Sequence, residues 1–106
     1  MPANIKKLIA EFKQGLAKVY GRQLKAVYLY GSYARGDYDE NSDVDVMIVL
    51  EDYQNYCDEL DRSGELISKL SLKYGISISR VIMKQRQWQN DDTPLLRNIR
   101  AEGMPA

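Results

Sequence analysis

A chain of 106 residues and 12.2 kDa, 44% hydrophobic and 28% charged, predicts one globular domain over 1–106 that buries roughly two-thirds of its unfolded surface around a single core. It contains no histidine and a single cysteine, Cys57. That excludes Ser-His-Asp and Cys-His nucleophiles, zinc sites built on Cys and His, and an internal disulfide, and leaves any catalysis to carboxylates, hydroxyls, Lys and Arg. The net charge of zero is unevenly spread: residues 1–35 carry seven bases and one acid, residues 36–66 one base and eleven acids, and residues 67–106 seven bases and three acids. An acidic middle between basic flanks argues against direct nucleic-acid binding on one continuous basic face, and suggests a cation site beside anion-contacting groups.

Apolar residues Ile5, Leu8, Ile9, Phe12, Leu16, Val19 and Tyr20 recur at helical spacing, which predicts an amphipathic helix over about 4–20 with Asn4 as its cap and Gly21 past its last turn. Ala26 to Tyr30 and Val44 to Leu50 read as buried strands, joined by a polar connection from Gly31 to Ser42 that is too long for a tight hairpin. Tyr53, Tyr56, Leu60, Ile67, Leu70 and Tyr74 mark a second helix closing on Gly75 and weakened at Ser63-Gly64. Ile76 to Met83 predicts a third strand, and Thr93-Pro94 a cap and first position of a short helix ending at Gly103. The order α-β-β-α-β-α predicts an α/β (α+β) fold, two layers with helices on a small mixed sheet. The opening MPANIKKLIAEF is amphipathic rather than leader-like, and the longest apolar run, Val46 to Leu50, falls far short of a membrane span, so a cytoplasmic location is expected.

The chemistry concentrates in Tyr30 to Leu50, YGSYARGDYDENSDVDVMIVL. Gly31 lacks a Cβ, so backbone amides there can approach a polyphosphate; Ser32 adds a hydroxyl donor, and SYAR can open a helical turn whose free amides face the same anion. Arg35 is placed to neutralise a phosphate. Asp43 and Asp45 lie two apart at the start of a strand and share one face, where two carboxylates can hold Mg²⁺ that also bridges nucleotide phosphates, while Val44 and Val46 face the core. Each feature alone is ordinary, the Gly-Ser a turn and the aspartates a solvated strand end; their combination in this strand order is what points to a phosphate and metal site. An overlapping calcium-loop pattern at Asp37, Asp39, Asn41, Asp43 and Asp45 fails, because its sixth position is Ser42 instead of Gly and its twelfth is Ile48 instead of Glu.

Gly31-Ser32, ten residues, then Asp43-x-Asp45 resembles the DNA polymerase β nucleotidyltransferase superfamily, and the length resembles its minimal nucleotidyltransferases, from the first helix to the tail PLLRNIRAEGMPA. Many of these are antitoxins paired with a HEPN-domain RNase toxin, and characterised types transfer AMP from ATP to a tyrosine of that partner. The resemblance implies that Gly31 and Ser32 hold the β- and γ-phosphates, that Asp43 and Asp45 bind Mg²⁺, that ATP is the substrate and that a HEPN-domain toxin is the partner. Active members of the superfamily usually place a third carboxylate on the next core strand; here that strand reads ISISRVIM, with Ser77 or Ser79 at the corresponding place and Asp91 or Asp92 as distant substitutes. The resemblance therefore implies either an AMP transferase or a degenerate relative that neutralises its partner by binding. Tyr28, Tyr30, Tyr33 and Tyr38 surround the segment, as base-stacking groups or as packing and partner contacts. Trp88 reads as an anchor for another chain or a cover over the sheet, and Cys57 as a packing residue.

Overall fold

The computed structural model describes residues 1–106. The first helix, α1 (Ala3–Tyr20), buries Ile5, Leu8, Phe12, Leu16 and Tyr20, the stripe that its period predicted. It starts earlier than expected: Pro2 precedes the first turn, its carbonyl accepting from the Lys6 amide at 3.1 Å, and Asn4 lies inside the helix and caps nothing. Proline supplies a fixed φ at a position whose amide has no intrahelical partner, which does the work assigned to an asparagine cap. Gly21 ends the helix at φ 56°.

The remaining elements are β1 (Leu24–Tyr30), α2 (Ser32–Arg35), β2 (Val44–Leu50), α3 (Tyr56–Tyr74), β3 (Ile78–Lys84), α4 (Gln85–Asn90), α5 (Pro94–Glu102) and β4 (Met104–Pro105). The expected order is preserved, with α2, α4 and β4 added. The sheet runs β3-β2-β1-β4, with β2 and β3 parallel and β1 antiparallel to both its neighbours. Parallel pairing needs a long crossover, and α3 supplies it. On one face Val27, Leu29, Val44, Val46, Ile48, Leu50, Ile78 and Ile82 pack with the buried residues of α1 and with Ile67 and Leu70 of α3. On the other, Met47 and Val49 pack with Leu96 and Ile99 of α5. Burial on both faces explains why β2 reads as an apolar run from Val44 to Leu50, broken only by Asp45 near its start.

Two local expectations change, at Ser63-Gly64 and Cys57, and one of the two readings of Trp88 is met. Helix α3 passes through Ser63-Gly64 unbroken, because the buried Ser63 hydroxyl donates to the Glu59 carbonyl at 3.2 Å and accepts from Arg80 Nε at 2.9 Å, while Arg80 Nη2 donates to the Leu60 carbonyl at 2.7 Å. Trp88 is a cover: its ring lies 5.0 Å from that of Tyr28, and the Arg100 guanidinium sits 4.8 Å above it. Cys57 is exposed in the first turn of α3 rather than packed.

The outer edge of the sheet is irregular. β4 pairs only with Tyr28 and Leu29, and the Ala106 amide adds a bond to the Val27 carbonyl at 2.8 Å. Between Leu24 and Ala26 the pairing with β2 slips by one residue, a bulge at Lys25. No helix is long and apolar enough to cross a membrane.

Candidate active site

The Gly-Ser turn and the two aspartates meet at one end of the sheet. β1 ends at Tyr30, which faces Asp45 across the antiparallel ladder. Gly31 then turns the chain at φ 75°, ψ −155°, a region open only to glycine, and delivers it into the single turn of α2. The Gly31 carbonyl accepts from the amides of Ala34 and Arg35 at 3.1 and 3.0 Å, so the amides of Ser32 and Tyr33 ahead of them have no intrahelical partner. Gly36 closes the turn in the left-handed region. The expected helical start at SYAR is therefore present.

Gly31 is also the residue against which Asp45 packs. A Cβ built on Gly31 would fall on a carboxylate oxygen of Asp45 and lie 3.2 Å from its Cγ. Asp43, one residue before β2, is exposed, whereas Asp45 is half-buried. Both have the strand parity of Met47 and Val49, so they lie on the α5 side of the sheet, and Val44 and Val46 are buried on the α1 side as predicted. A bond of 2.9 Å from the Val44 amide to the Ser77 carbonyl fixes the head of β2 to β3.

Burial pushes the Asp45 carboxyl above the usual carboxylate range, and the neighbouring charge of Asp43 pushes it the same way, with Arg35 opposing. Burial also raises the Tyr30 phenol, helped by Asp45. Neither Asp43 nor Asp45 takes part in any of the ion pairs of the chain. Two adjacent oxygen-donor carboxylates left without an internal cation fit a divalent ion such as Mg²⁺, which commonly takes one or two protein carboxylates and completes its shell with water and phosphate. No third acidic, Cys or His side chain joins them. Asp45 is in parallel register with Ser79, which resolves the choice between the two serines: Ser79 occupies the neighbouring place on β3. Asp92 pairs instead with Arg97, at 3.3 Å.

Arg35 is not free. Its Nε donates to Asp37 and its Nη1 to Glu102, each at 3.1 Å. Sequence reasoning missed Glu102, since 67 residues separate it from Arg35 and no local pattern links them. Of the tyrosines, Tyr33 is buried and stacks on the exposed Tyr38 with centroids 4.7 Å apart, and Tyr28 serves the Trp88 contact. The site is an open strand end; the grooves of the molecule lie elsewhere, along β4 and α1 and beside α3.

The chain has relatives of known family. Residues 5–105 match the family model described as the nucleotidyltransferase domain. The chain belongs to that family. It is 43% identical over 82 residues to a Methanocaldococcus jannaschii protein named "Putative protein adenylyltransferase MJ0141", covering 77% of this chain and 82% of the relative. Its fold is similar to that of a toxin–antitoxin crystal structure with AMP-PNP, at TM-score 0.63 and 22% identity over 89% of this chain and 68% of the other. It is also similar to a chain of the complex between tri-AMPylated Shewanella oneidensis HEPN toxin and MNT antitoxin, at TM-score 0.54 and 20% identity over 96% of this chain and 67% of the other. The α+β architecture is thus that of the nucleotidyltransferase fold.

Proposed function

We propose that this nucleotidyltransferase is the antitoxin of a HEPN toxin pair and transfers AMP from Mg·ATP to a tyrosine of the toxin. The observation that carries the reading is the packing of Gly31 on Asp45, which sets a glycine turn with unpartnered amides and a carboxylate pair side by side in a chain 43% identical to a protein named for adenylyl transfer to protein. Gly31 and Ser32 receive the phosphates through backbone amides and the Ser32 hydroxyl, and Asp43 and Asp45 hold Mg²⁺, which supplies charge neutralisation of the triphosphate when bound. The target phenolic oxygen attacks the α-phosphorus, the bond from that phosphorus to the bridging oxygen breaks, pyrophosphate leaves with its electron pair, and the phenolic proton passes to water. A phenol, with a pKa near about 10, needs less help from a base than an aliphatic hydroxyl, which suits a site with two carboxylates and a serine in place of a third. The partner and the tyrosine target are supported by the likeness to toxin–antitoxin structures, one with a tri-AMPylated HEPN toxin.

Ser79 beside Asp45 favours a second reading, in which the chain neutralises the toxin by contact without transfer. Intact-mass measurement of both proteins after incubation with Mg·ATP separates the two. AMP added to the partner, and lost with Asp43→Asn or Asp45→Asn, supports transfer. Unchanged masses with a stable complex that still blocks RNase activity refute it in favour of contact.

A further inference from the structure

Arg35 ends α2, the turn that Gly31 opens, and its charge acts on Asp45, yet its Nε is committed to Asp37 and its Nη1 to Glu102. Only Nη2 is wholly uncommitted. Counting Asp37, Asp43, Asp45 and Glu102 against Arg35, the site holds four negative charges and one positive, a poor receiver for a polyphosphate until a cation enters or the arginine is released. Glu102 is also badly placed for its own helix. It is the last residue of α5, where the macrodipole is negative and disfavours a carboxylate, and its one ion-pair partner is Arg35.

We propose that Glu102 sets nucleotide affinity by competing with phosphate for Arg35, so that a bound polyphosphate takes over the guanidinium and frees the end of α5. This rests on the nucleotide site proposed above. Once released, Glu102 stands unneutralised at the helix terminus, and the last turn of α5 loosens together with Gly103 and β4. Nucleotide binding therefore loosens the tail of the chain instead of tightening it.

The test measures binding of Mg·AMP-PNP by calorimetry and amide hydrogen exchange over residues 94–106. Both side chains are partly exposed, at 44% and 29%, so the pair is weak and the effect modest: Glu102→Gln should bind about 1.5- to 5-fold tighter than wild type. Glu102→Asp, which keeps the charge, should stay near wild type. In an Arg35→Gln background, Glu102→Gln should change nothing. Exchange in the tail should rise when the wild type binds nucleotide and should not change on binding in Glu102→Gln, which carries no charge at the end of α5. Weaker or unchanged binding by Glu102→Gln, an equal gain in the Arg35→Gln background, or tail exchange that falls on binding overturns the competition. A wild type that binds no Mg·AMP-PNP overturns the nucleotide site as well, whereas normal wild-type binding with an indifferent Glu102→Gln overturns the role of Glu102 alone.

Discussion

Gly31→Ala tests the geometry on which the site reading depends. Two penalties meet at this residue. Its φ of 75° and ψ of −155° belong to a region essentially reserved for glycine, and forcing alanine there costs about 1–3 kcal/mol. The new methyl also lands on the Asp45 carboxylate. That carboxyl is half-buried, has no ion pair and is raised by burial, so it can swing outward at little further cost. Most of the stability loss thus comes from the backbone, and most of the functional loss from the displaced carboxylate. For a domain of this size about 1 kcal/mol corresponds to roughly 4–8 °C in Tm, so Gly31→Ala should melt roughly 5–20 °C below wild type and lose Mg·nucleotide binding. Gly36→Ala is the control: its φ of 89° is also unfavourable, but nothing lies within 4 Å of the added carbon, so it should lose about 1–2 kcal/mol and keep its binding. Thermal unfolding and calorimetry with Mg·AMP-PNP measure both. In an Asp45→Ala background, where the clashing oxygen is gone, Gly31→Ala should retain only the backbone penalty. Wild-type melting and binding by Gly31→Ala would refute the reasoning outright.

Asp45→Asn should raise the Tm of the metal-free protein at neutral pH. A carboxyl raised in the fold above its unfolded value contributes stability below the unfolded pKa of about 3.9, and that contribution is lost as pH rises through the folded value, so the advantage of Asn should vanish in acid melts near about pH 3.9. Saturating Mg²⁺ should reverse the order, because only the aspartate gains from the ion. Ser79→Asp places a third carboxylate in register with Asp45 and should tighten Mg²⁺ binding in calorimetry while lowering the melting temperature in EDTA; Mg²⁺ affinity no better than wild type would show that position 79 does not reach the ion. Ser63→Ala strips the acceptor from Arg80 Nε inside the packed face of α3, and should lose about 1–3 kcal/mol in urea unfolding.

The helices and core strands were legible because their signals are periodic and local. Ile5 to Tyr20 repeat at helical spacing, β2 is apolar from Val46 to Leu50 because both its faces are covered there, and Thr93-Pro94 is a complete helix start on its own, with the Thr93 hydroxyl accepting from the Leu96 amide at 3.2 Å. The Gly31 turn and the shared face of Asp43 and Asp45 follow from residue type and strand parity in the same way. What escaped depends on pairings between distant segments. Register alone puts Ser79 rather than Ser77 beside Asp45, Glu102 meets Arg35 only after α5 folds across the sheet, and β4 is two residues whose strand character comes entirely from β1. Ser63-Gly64 misled because its compensating donor, Arg80, lies 17 residues away on β3.

The bulge at Lys25 bears on how the protein behaves when concentrated. Outside its pairing with β4, the margin of β1 has no strand partner at Leu24 to Ala26, the kind of uncommitted backbone onto which another chain can add as a cross-β strand. Fibril growth needs a flat ribbon of successive free amides. Here the free stretch is three residues long, twisted at its midpoint by the inserted residue, and crowned there by an ammonium group that an identical neighbour would have to face. The margin of β1 is therefore a poor template for a further strand.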